Sequence, residues 1–368
     1  MDFQWFELFQ SVAIISGIAV FLAILMVIAD ATIGNYGEKK LLINKDKELI
    51  VDGGQSLLNA LKGAGIFIPS ACGGRGSCGL CKIQVDAGGG DFLPTELPWL
   101  SDEEKKKNIR LSCQLKVKND MELTIPEELF NIKEFQAQVT GLTELTHDIK
   151  ELEMTLLEPK EIDFKAGQFI QLEVSEYELT DEPIYRAYSV CSQPSLKNKV
   201  KLQIKLVPNG ICTTYVHKHM KVGEKITING PYGDFFLRNT NKDIVMMATG
   251  SGMAPMCSIL IDMAEKTNNR KVTFLFGCKE KCDLFLMKEM AELEKRLPNF
   301  KFVPALSRPD DKWEGTIGRL NTIVKDHIEN PENTEAYLCA GTRVIESYSE
   351  ALKEAGIPQD QIFFDDFG

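Results

Sequence analysis

The sequence predicts a multidomain chain: a transmembrane helix, then a small α+β domain, an antiparallel β-barrel and an α/β domain on a parallel sheet. Three observations carry this. An uncharged apolar run fills Leu8 to Ala29, period-two alternation with little helix extends from Gln136 to Asn229, and strands alternate with helices from Ile244 onward. A chain of 368 residues has room for several domains, each with its own core. We expect the divisions 1–30, 31–131, 132–240 and 241–368.

The apolar run is long enough, at roughly 1.5 Å per residue, to cross a hydrocarbon core of about 30 Å. It opens with Asp2 and Glu7 and ends at Met26-Val27-Ile28-Ala29-Asp30, without the basic start and small-residue cleavage site of a signal peptide. An uncleaved single-pass anchor is expected. Lys39, Lys40, Lys45 and Lys47 follow the run and no Lys or Arg precedes it, which predicts a cytoplasmic C-terminal bulk on an inner membrane. Trp5 and Phe6 then fall at the outer interface. No charge interrupts the span, so an ion pathway has to lie mainly in partner proteins.

Composition narrows the class further. With 44% hydrophobic and 26% charged residues, most of the chain should fold. A net charge of -11 excludes nucleic acid as a partner, because that role needs a basic face. Four of the ten cysteines cluster at Cys72, Cys78, Cys81 and Cys113, and clustering favours metal over disulfides. The other six are scattered among apolar residues, as free thiols of a reducing compartment are.

Around the cluster the pattern is strands at Lys40-Ile43 and Glu48-Val51, a helix from Ser56 to Ala64, a Gly/Cys loop, and strands at Cys81-Val85 and Glu122-Ile125. Thiolates suit iron and zinc, and the intervening glycines let backbone N–H groups turn toward sulfur. Zinc ribbons pair two tight Cys-x2-Cys knuckles. Here one Cys-x5-Cys-x2-Cys loop is completed by a distant cysteine, one residue longer in its first gap than the plant-type 2Fe-2S pattern. Iron-sulfur is favoured over zinc.

The barrel strands are expected at Gln136-Gly141, Ile149-Leu156, Phe169-Glu173, Tyr185-Val190, Lys199-Leu206 and Lys225-Asn229. Within them Arg186, Tyr188 and Ser189 combine a phosphate-pairing guanidinium with a ring that packs flat on an aromatic system. Alone this short stretch reads equally as an edge strand of an ordinary barrel. Gly210-Ile211-Cys212-Thr213 precedes a helix-like stretch whose N–H groups and hydroxyl suit a pyrophosphate. Gly230-Pro231-Tyr232-Gly233 reads as a turn closing the barrel.

The last domain alternates strands at Ile244-Ala248, Lys271-Gly277, Lys301-Ala305, Ala336-Ala340 and Ile362-Phe364 with helices at Met256-Glu265, Phe285-Glu294, Arg319-His327 and Val344-Ala355. Thr249-Gly250-Ser251-Gly252-Met253-Ala254-Pro255 joins its first strand to its first helix. Glycines there permit close approach of a dinucleotide pyrophosphate, although the third glycine of the commonest fingerprint is missing. Gly277-Cys278 and Cys339-Ala340-Gly341 end later strands, on the ligand-binding edge of such sheets.

Taken in order, these segments resemble the NqrF components of the Na+-translocating NADH:quinone oxidoreductases over essentially the whole chain. The likeness rests on ACGGRGSCGLC, GGGDFLPTEL at Gly88-Leu97, RLSCQ around Cys113, IPEELF at Ile125-Phe130, DEPIYRAYS at Asp181-Ser189, GSGMAP, and the terminal Phe363-Phe364-Asp365-Asp366-Phe367-Gly368. It implies a ferredoxin domain joined to a ferredoxin-reductase-like pair, with Cys72, Cys78, Cys81 and Cys113 holding a 2Fe-2S cluster. It places Arg186, Tyr188 and Ser189 at FAD, Gly250, Gly252, Met253, Ala254 and Pro255 at the dinucleotide, and Phe367 near the isoalloxazine. Two stretches depart from the family. Glu173 to Asp181 is short, which bears on contacts with partner subunits, and Cys339-Ala340-Gly341-Thr342 replaces the usual Cys-Gly-Pro-Pro, which bears on the nicotinamide pocket.

Nicotinamide gives two electrons as hydride and an iron-sulfur cluster accepts one, so a flavin between them is the needed converter. The expected route runs from NADH through FAD and the cluster to other membrane subunits, with quinone as eventual acceptor. Ser189 and Cys339 are the expected catalytic contacts beside Phe367, at the flavin edge and the nicotinamide respectively. Glu280 favours NADH, whereas Ser307-Arg308 offers either an NADPH phosphate contact or a pyrophosphate contact. His217 and His219 read as a solvated helix face rather than metal ligands. Two alternatives stay open: a membrane-anchored reductase feeding another acceptor such as an oxygenase, and a non-enzymatic cluster-binding scaffold.

Overall fold

The computed structural model describes residues 2–29, 36–70 and 72–367, with the side chains of 2–7, 27–29 and 128 left out. The interfacial placement expected of Trp5 and Phe6 lies outside the described residues, as do Ala71 of the cysteine loop and Gly368. Two compact units are present. The first is Met1–Ile68 with Gly74–Phe130, and the second is Pro69–Gly73 with Asn131–Gly368.

The first unit opens with helix α1 (Asp2–Ala29), whose stretch Leu8–Met26 is long and apolar enough to cross a membrane. Its described side chains pack against nothing: Phe9 is 80% and Met26 73% exposed, the reverse of a core helix. Strands β1 (Glu38–Ile43) and β2 (Lys47–Asp52) follow, then α2 (Leu57–Gly63), whose Ser56 hydroxyl caps the Asn59 N–H at 3.2 Å. After the cysteine loop come β3 (Lys82–Ala87), α3 (Asp102–Lys106), β4 (Ile109–Leu111) and β5 (Met121–Thr124). The sheet order is β2-β1-β5-β3-β4, with β1 and β5 parallel and the other pairs antiparallel. Leu41, Ile43, Leu57, Leu61, Ile83, Leu111 and Leu123 fill its core. Each such side chain contributes about 1.5–3 kcal/mol by leaving water.

Helix α3 and strand β4 escape periodicity because they are short and mostly charged. They are set by a capping box between Ser101 and Glu104 and by a buried ion pair. Arg110 on β4 donates to Glu96 at 2.6 Å and to the carbonyls of Gly89, Gly90 and Asp91 at 2.8, 3.1 and 3.0 Å. That one guanidinium fastens the Gly88–Leu97 segment.

In the second unit a six-stranded antiparallel sheet runs in the order β10-β7-β6-β11-β8-β9. Its strands are β6 (Lys133–Glu144), β7 (Ile149–Glu158), β8 (Phe169–Val174), β9 (Ile184–Ser189), β10 (Lys199–Lys205) and β11 (Lys225–Tyr232). A bridge between Val190 and Leu202 joins its two edges, so the sheet curls around Leu152, Met154, Ile170, Leu172, Leu202 and Ile228. The expected turn at Gly230–Gly233 is instead the end of β11, which continues to Tyr232 with a register shift after Asn229. Between β10 and β11 a single turn, α4 (Ile211–Thr214), runs into a π-helical turn at Tyr215–His219. His217 and His219 are not a solvated face. His217 Nε2 lies 2.9 Å from the Ile204 carbonyl, and His219 Nε2 lies 3.4 Å from Glu178.

The remainder is a parallel sheet, ordered β15-β14-β13-β12-β16-β17. Strand β12 (Asp243–Thr249) leads to α5 (Met253–Glu265), β13 (Val272–Cys278) to α6 (Met287–Arg296), and β14 (Phe300–Leu306) and β15 (Thr316–Ile317) to α7 (Leu320–Ile323). Strand β16 (Thr334–Ala340), α8 (Thr342–Glu354) and β17 (Ile362–Asp366) close the chain. The central strands are apolar throughout because both faces are covered. Met246, Phe274 and Tyr337 pack with α5 and α6 on one face, while Met247, Leu275 and Leu338 pack with α8 on the other. The helix expected at Arg319–His327 is one α-turn followed by a 3-10 turn. Strand order reverses between β12 and β16, and at such a switch point a crevice opens beyond the carboxyl ends of the strands.

Candidate functional site

In the first unit the cysteine loop is shaped by left-handed glycines. Gly76 and Gly79 sit at φ +73° and +66°, and a Cβ on either meets the Gln114 side chain at 2.6 Å or the Trp99 ring at 2.8 Å. Both the backbone conformation and the space therefore demand glycine. The pairing of β3 with β4 carries Cys81 toward Cys113. Ser112 donates to the Cys81 carbonyl through its N–H at 2.9 Å and its hydroxyl at 3.0 Å, and Gln114 Nε2 lies 3.5 Å from Cys113 Sγ. The Cys81 thiol is pushed up, first by its hydrogen bond with Cys113 and then by burial, which marks the two sulfurs as neighbours. Among the described residues no three metal-ligating side chains are gathered. A 2Fe-2S cluster spreads four thiolates over two irons, and Cys81 with Cys113 is one such pair. Cys72 belongs to the Pro69–Gly73 stretch of the second unit.

Strand β9 carries the arginine, tyrosine and serine expected at a flavin. It is a sheet edge, and Tyr185 to Ser189 are all half-buried rather than fully covered, so the strand leaves one face open to a ring. Burial raises the Tyr188 hydroxyl well above its usual range. Cys212 packs beneath the same strand, its thiol 3.6 Å from the Ile184 carbonyl, which brings the Gly210–Thr213 turn beside β9. The Thr213 hydroxyl is committed to that turn, accepting from the Val207 N–H at 3.1 Å and lying 3.3 Å from the Gly210 carbonyl. Gly210 is required, because a Cβ there meets Thr213 Oγ1 at 2.5 Å. For this group the structure offers backbone N–H groups rather than the Cys212 and Thr213 side chains, and the open edge strand fits a flat ring system.

The crevice at the switch point is a cavity of about 630 Å³. Thr249, Gly250 and Ser251 line it, as do Gly277 and Cys278. Met253, Ala254 and Pro255 do not: they are buried in α5 against the sheet. Gly252 serves the sheet as well, since a Cβ there collides with the Cys339 carbonyl. The Cys278 thiol is pushed up to about 12 by burial and by the charge of Asp283.

Sequence reasoning missed the wall opposite the glycine turn, where His147, Asp148 and Lys205 face it from the barrel. Lys205 Nζ lies 3.7 Å from the position a Gly250 Cβ occupies, and Asp148 holds it at 3.2 Å. Burial opposes the Asp148 charge, but the Thr146 hydroxyl and the Lys205 ammonium outweigh it and keep its carboxyl below the usual range. Lys279, Arg319 and Arg343 add positive charge around the same cavity. A phosphate-bearing ligand suits this field.

At the β16–β17 end three predicted positions converge. Ser189 Oγ donates to Asp365 Oδ2 at 2.9 Å, and Cys339 Sγ lies 3.8 Å from the same oxygen. Burial raises the Asp365 carboxyl despite both hydrogen bonds, and burial with Asp365 raises the Cys339 thiol far above its usual range. Cys339 is thus a neutral donor and not a nucleophile at pH 7. Phe367 lies at the cavity edge, 45% exposed, its N–H 3.3 Å from the Ala340 carbonyl.

Comparison with known proteins assigns chemistry to each segment. Family models match an oxidoreductase NAD-binding domain at 246–350, an oxidoreductase FAD-binding domain at 136–237 and a 2Fe-2S iron-sulfur cluster binding domain at 42–118. The chain is similar to solved structures of an Amycolatopsis cytochrome P450 reductase, with a TM-score of 0.74 and 24% identity over 89% of this chain and 98% of the other. It is similar too to the ferredoxin reductase in carbazole 1,9a-dioxygenase, with a TM-score of 0.69 and 24% identity over 90% and 98%. At that identity both speak for the fold alone. Curated relatives named as the NqrF component of Na(+)-translocating NADH-quinone reductase include one from Neisseria meningitidis serogroup C / serotype 2a, 35% identical over 98% of this chain and all of that protein. Another, from Idiomarina loihiensis, is 34% identical over 98% and 99%. On that shared length and domain content, the chain belongs to the NqrF family of Na+-translocating NADH-quinone reductase components.

Proposed function

We propose that the protein is the electron-entry subunit of a membrane complex, oxidising NADH through FAD and a 2Fe-2S cluster and passing single electrons to membrane partners, with quinone as eventual acceptor. The observation that carries this reading is the convergence of Ser189, Asp365 and Cys339 at one end of a cationic dinucleotide crevice. We keep the division of the chain at 30, 131 and 240. Helix α1 anchors it in the inner membrane, and the lysines that follow orient the folded units to the cytoplasm.

When bound, FAD takes hydride from the nicotinamide and releases electrons one at a time to the iron-sulfur cluster. The chain's own task is to bind and orient. Gly250 and Ser251 bring backbone close to the pyrophosphate while Lys205 supplies charge from the opposite wall. Arg186, Tyr188, Ser189, Gly210, Cys212 and Thr213 surround the flavin, the first through its guanidinium, the tyrosine through its ring and the turn through its backbone. Ser189 is aligned by Asp365, and Cys339 presents a neutral thiol beside the nicotinamide. Phe367 covers the ring face until the nicotinamide arrives. Cys72, Cys78, Cys81 and Cys113 hold the cluster.

The test is an anaerobic titration of the full chain, purified in detergent and loaded with FAD and cluster. NADH should bleach the flavin and then produce the EPR signal of the reduced 2Fe-2S centre. A loaded sample whose flavin stays oxidised with excess NADH defeats the proposal.

A further inference from the structure

We infer that the dinucleotide crevice admits NADPH as well as NADH, with Lys279, Ser307 and Arg319 receiving the adenosine 2′-phosphate. The inference rests on the function proposed above and specifies its substrate class. Topology sets the direction of the ligand. The pyrophosphate lies at the Gly250 turn on the end of β12, and the switch point leaves two ways out of it, over β13 and β14 or over β16 and β17. Ser189, Asp365 and Cys339 occupy the second, which makes that the hydride end. The adenosine half therefore runs over the ends of β13 and β14.

The groups waiting there are cationic. Lys279 follows β13 and Ser307 follows β14, and the strands keep pairing past their ends, Ser307 N–H to the Cys278 carbonyl at 3.0 Å and Arg308 N–H to the Lys279 carbonyl at 2.8 Å. Arg319 comes in from the next segment, positioned by the Gly318 N–H on the Leu306 carbonyl at 2.9 Å. All three side chains line the crevice and are exposed, and among the described residues neither Lys279 nor Arg319 takes part in an ion pair.

An NAD-selective site sets a carboxylate on the ribose 2′-hydroxyl, where it repels a phosphate, whereas an arginine accommodates that phosphate. Two carboxylates are close enough in sequence to play the excluding part. Glu280 does not line the crevice; it lies with Lys281 and Arg308 in an adjoining shallow basin. Asp283 does line it, but its Oδ2 accepts the Glu280 N–H at 3.0 Å and its Oδ1 lies 3.9 Å from His147, so it is tied to its own turn and to the barrel wall. The charge facing the ribose is left net positive.

The experiment uses the full chain in detergent, loaded with FAD and cluster. Binding of adenosine 2′,5′-bisphosphate and of 5′-AMP is measured by calorimetry, and kcat/KM by flavin-dependent ferricyanide reduction with NADPH and with NADH. The bisphosphate should bind at least about tenfold more tightly, the scale of one charge-assisted contact. Its advantage should shrink as salt rises. Lys279→Ala and Arg319→Ala should each lower the NADPH-to-NADH ratio of kcat/KM about tenfold. Equal binding of the two nucleotides, or NADH turnover with none from NADPH, overturns the inference and leaves the proposed function standing. If neither dinucleotide reduces the flavin, the proposed function fails, and the binding comparison still decides whether the crevice reads a 2′-phosphate.

Discussion

Ser189 and Asp365 stand 176 residues apart in sequence, yet the serine hydroxyl donates to the aspartate at 2.9 Å. The contact joins the barrel's edge strand to the last strand of the parallel sheet. It fixes the hydroxyl rotor on the side where Cys339 and Phe367 also converge. If Ser189 bonds the flavin edge, Ser189→Ala should slow flavin reduction by NADH about 10- to 100-fold, the usual cost of one preorganised donor. Stopped-flow bleaching measures it, and an unchanged rate removes Ser189 from the reaction.

Asp365 also ties stability to pH. Burial raises its carboxyl above the ordinary carboxylate value, so the folded protein holds that proton more tightly than the unfolded chain does. Its contribution to stability is complete below the ordinary value, near 4, and is lost as pH rises through the folded value. Asp365→Asn has no such loss. The variant should melt above the wild type at pH 7 to 8, with the difference vanishing toward about pH 4. Melting curves across that range check it, and a variant less stable than wild type at pH 8 contradicts it.

Gly252 is the glycine whose removal should cost most in the parallel-sheet domain. A Cβ there runs into the Cys339 carbonyl, which belongs to a central strand and has little freedom to retreat. Gly252→Ala should destabilise the domain by about 1–3 kcal/mol, as overpacking does, and weaken NADH binding by shifting the turn. Gly341→Ala is the control, because nothing lies within 4 Å of its Cβ position. Equal stability of the two variants argues against the steric account.

These contacts divide what the sequence could disclose from what it could not. The cysteine loop, the RAYS strand and the GSG turn were legible because each is local: the residue types and the spacing are adjacent in the chain. The opposite wall of the crevice was not. Lys205 is an ordinary strand-end lysine until the fold places it over Gly250, 45 residues later in the chain. Met253, Ala254 and Pro255 misled in the other direction, because a motif adjoining the ligand turn contains residues that serve the core. Helix α3 has no apolar period to read, and depends on Ser101, Glu104 and the neighbouring Arg110 pair.

That pair gives a prediction for the first unit. Arg110 and Glu96 are 3% and 0% exposed, and Glu96 also accepts the Leu93 and Leu111 N–H groups, each at 2.9 Å. Breaking one partner of a buried pair leaves the other charged and unmatched, at about 3–5 kcal/mol. Glu96→Gln should loosen the 88–100 segment, including Trp99, which packs on Gly79 of the cysteine loop. Cluster absorbance should decay faster on warming while the flavin is retained. Parallel loss of both chromophores would instead mean general unfolding.

The crevice wall gives the most discriminating kinetic test. Lys205 is half-exposed and shares its charge with Asp148, so it is worth less than a fully buried contact, yet it faces the turn where a pyrophosphate binds. Lys205→Gln keeps the stem and removes the charge. A contact made equally to the bound substrate and to the reacting complex raises KM without changing kcat. A single charge-assisted hydrogen bond predicts a rise of about tenfold or more. Because the lost term is electrostatic, added salt should raise the wild-type KM while moving the variant's less. Steady-state NADH oxidation over a range of ionic strength separates the outcomes: an unchanged KM sinks the binding role, and a fall in kcat at constant KM shifts Lys205 from holding the pyrophosphate to aligning the nicotinamide.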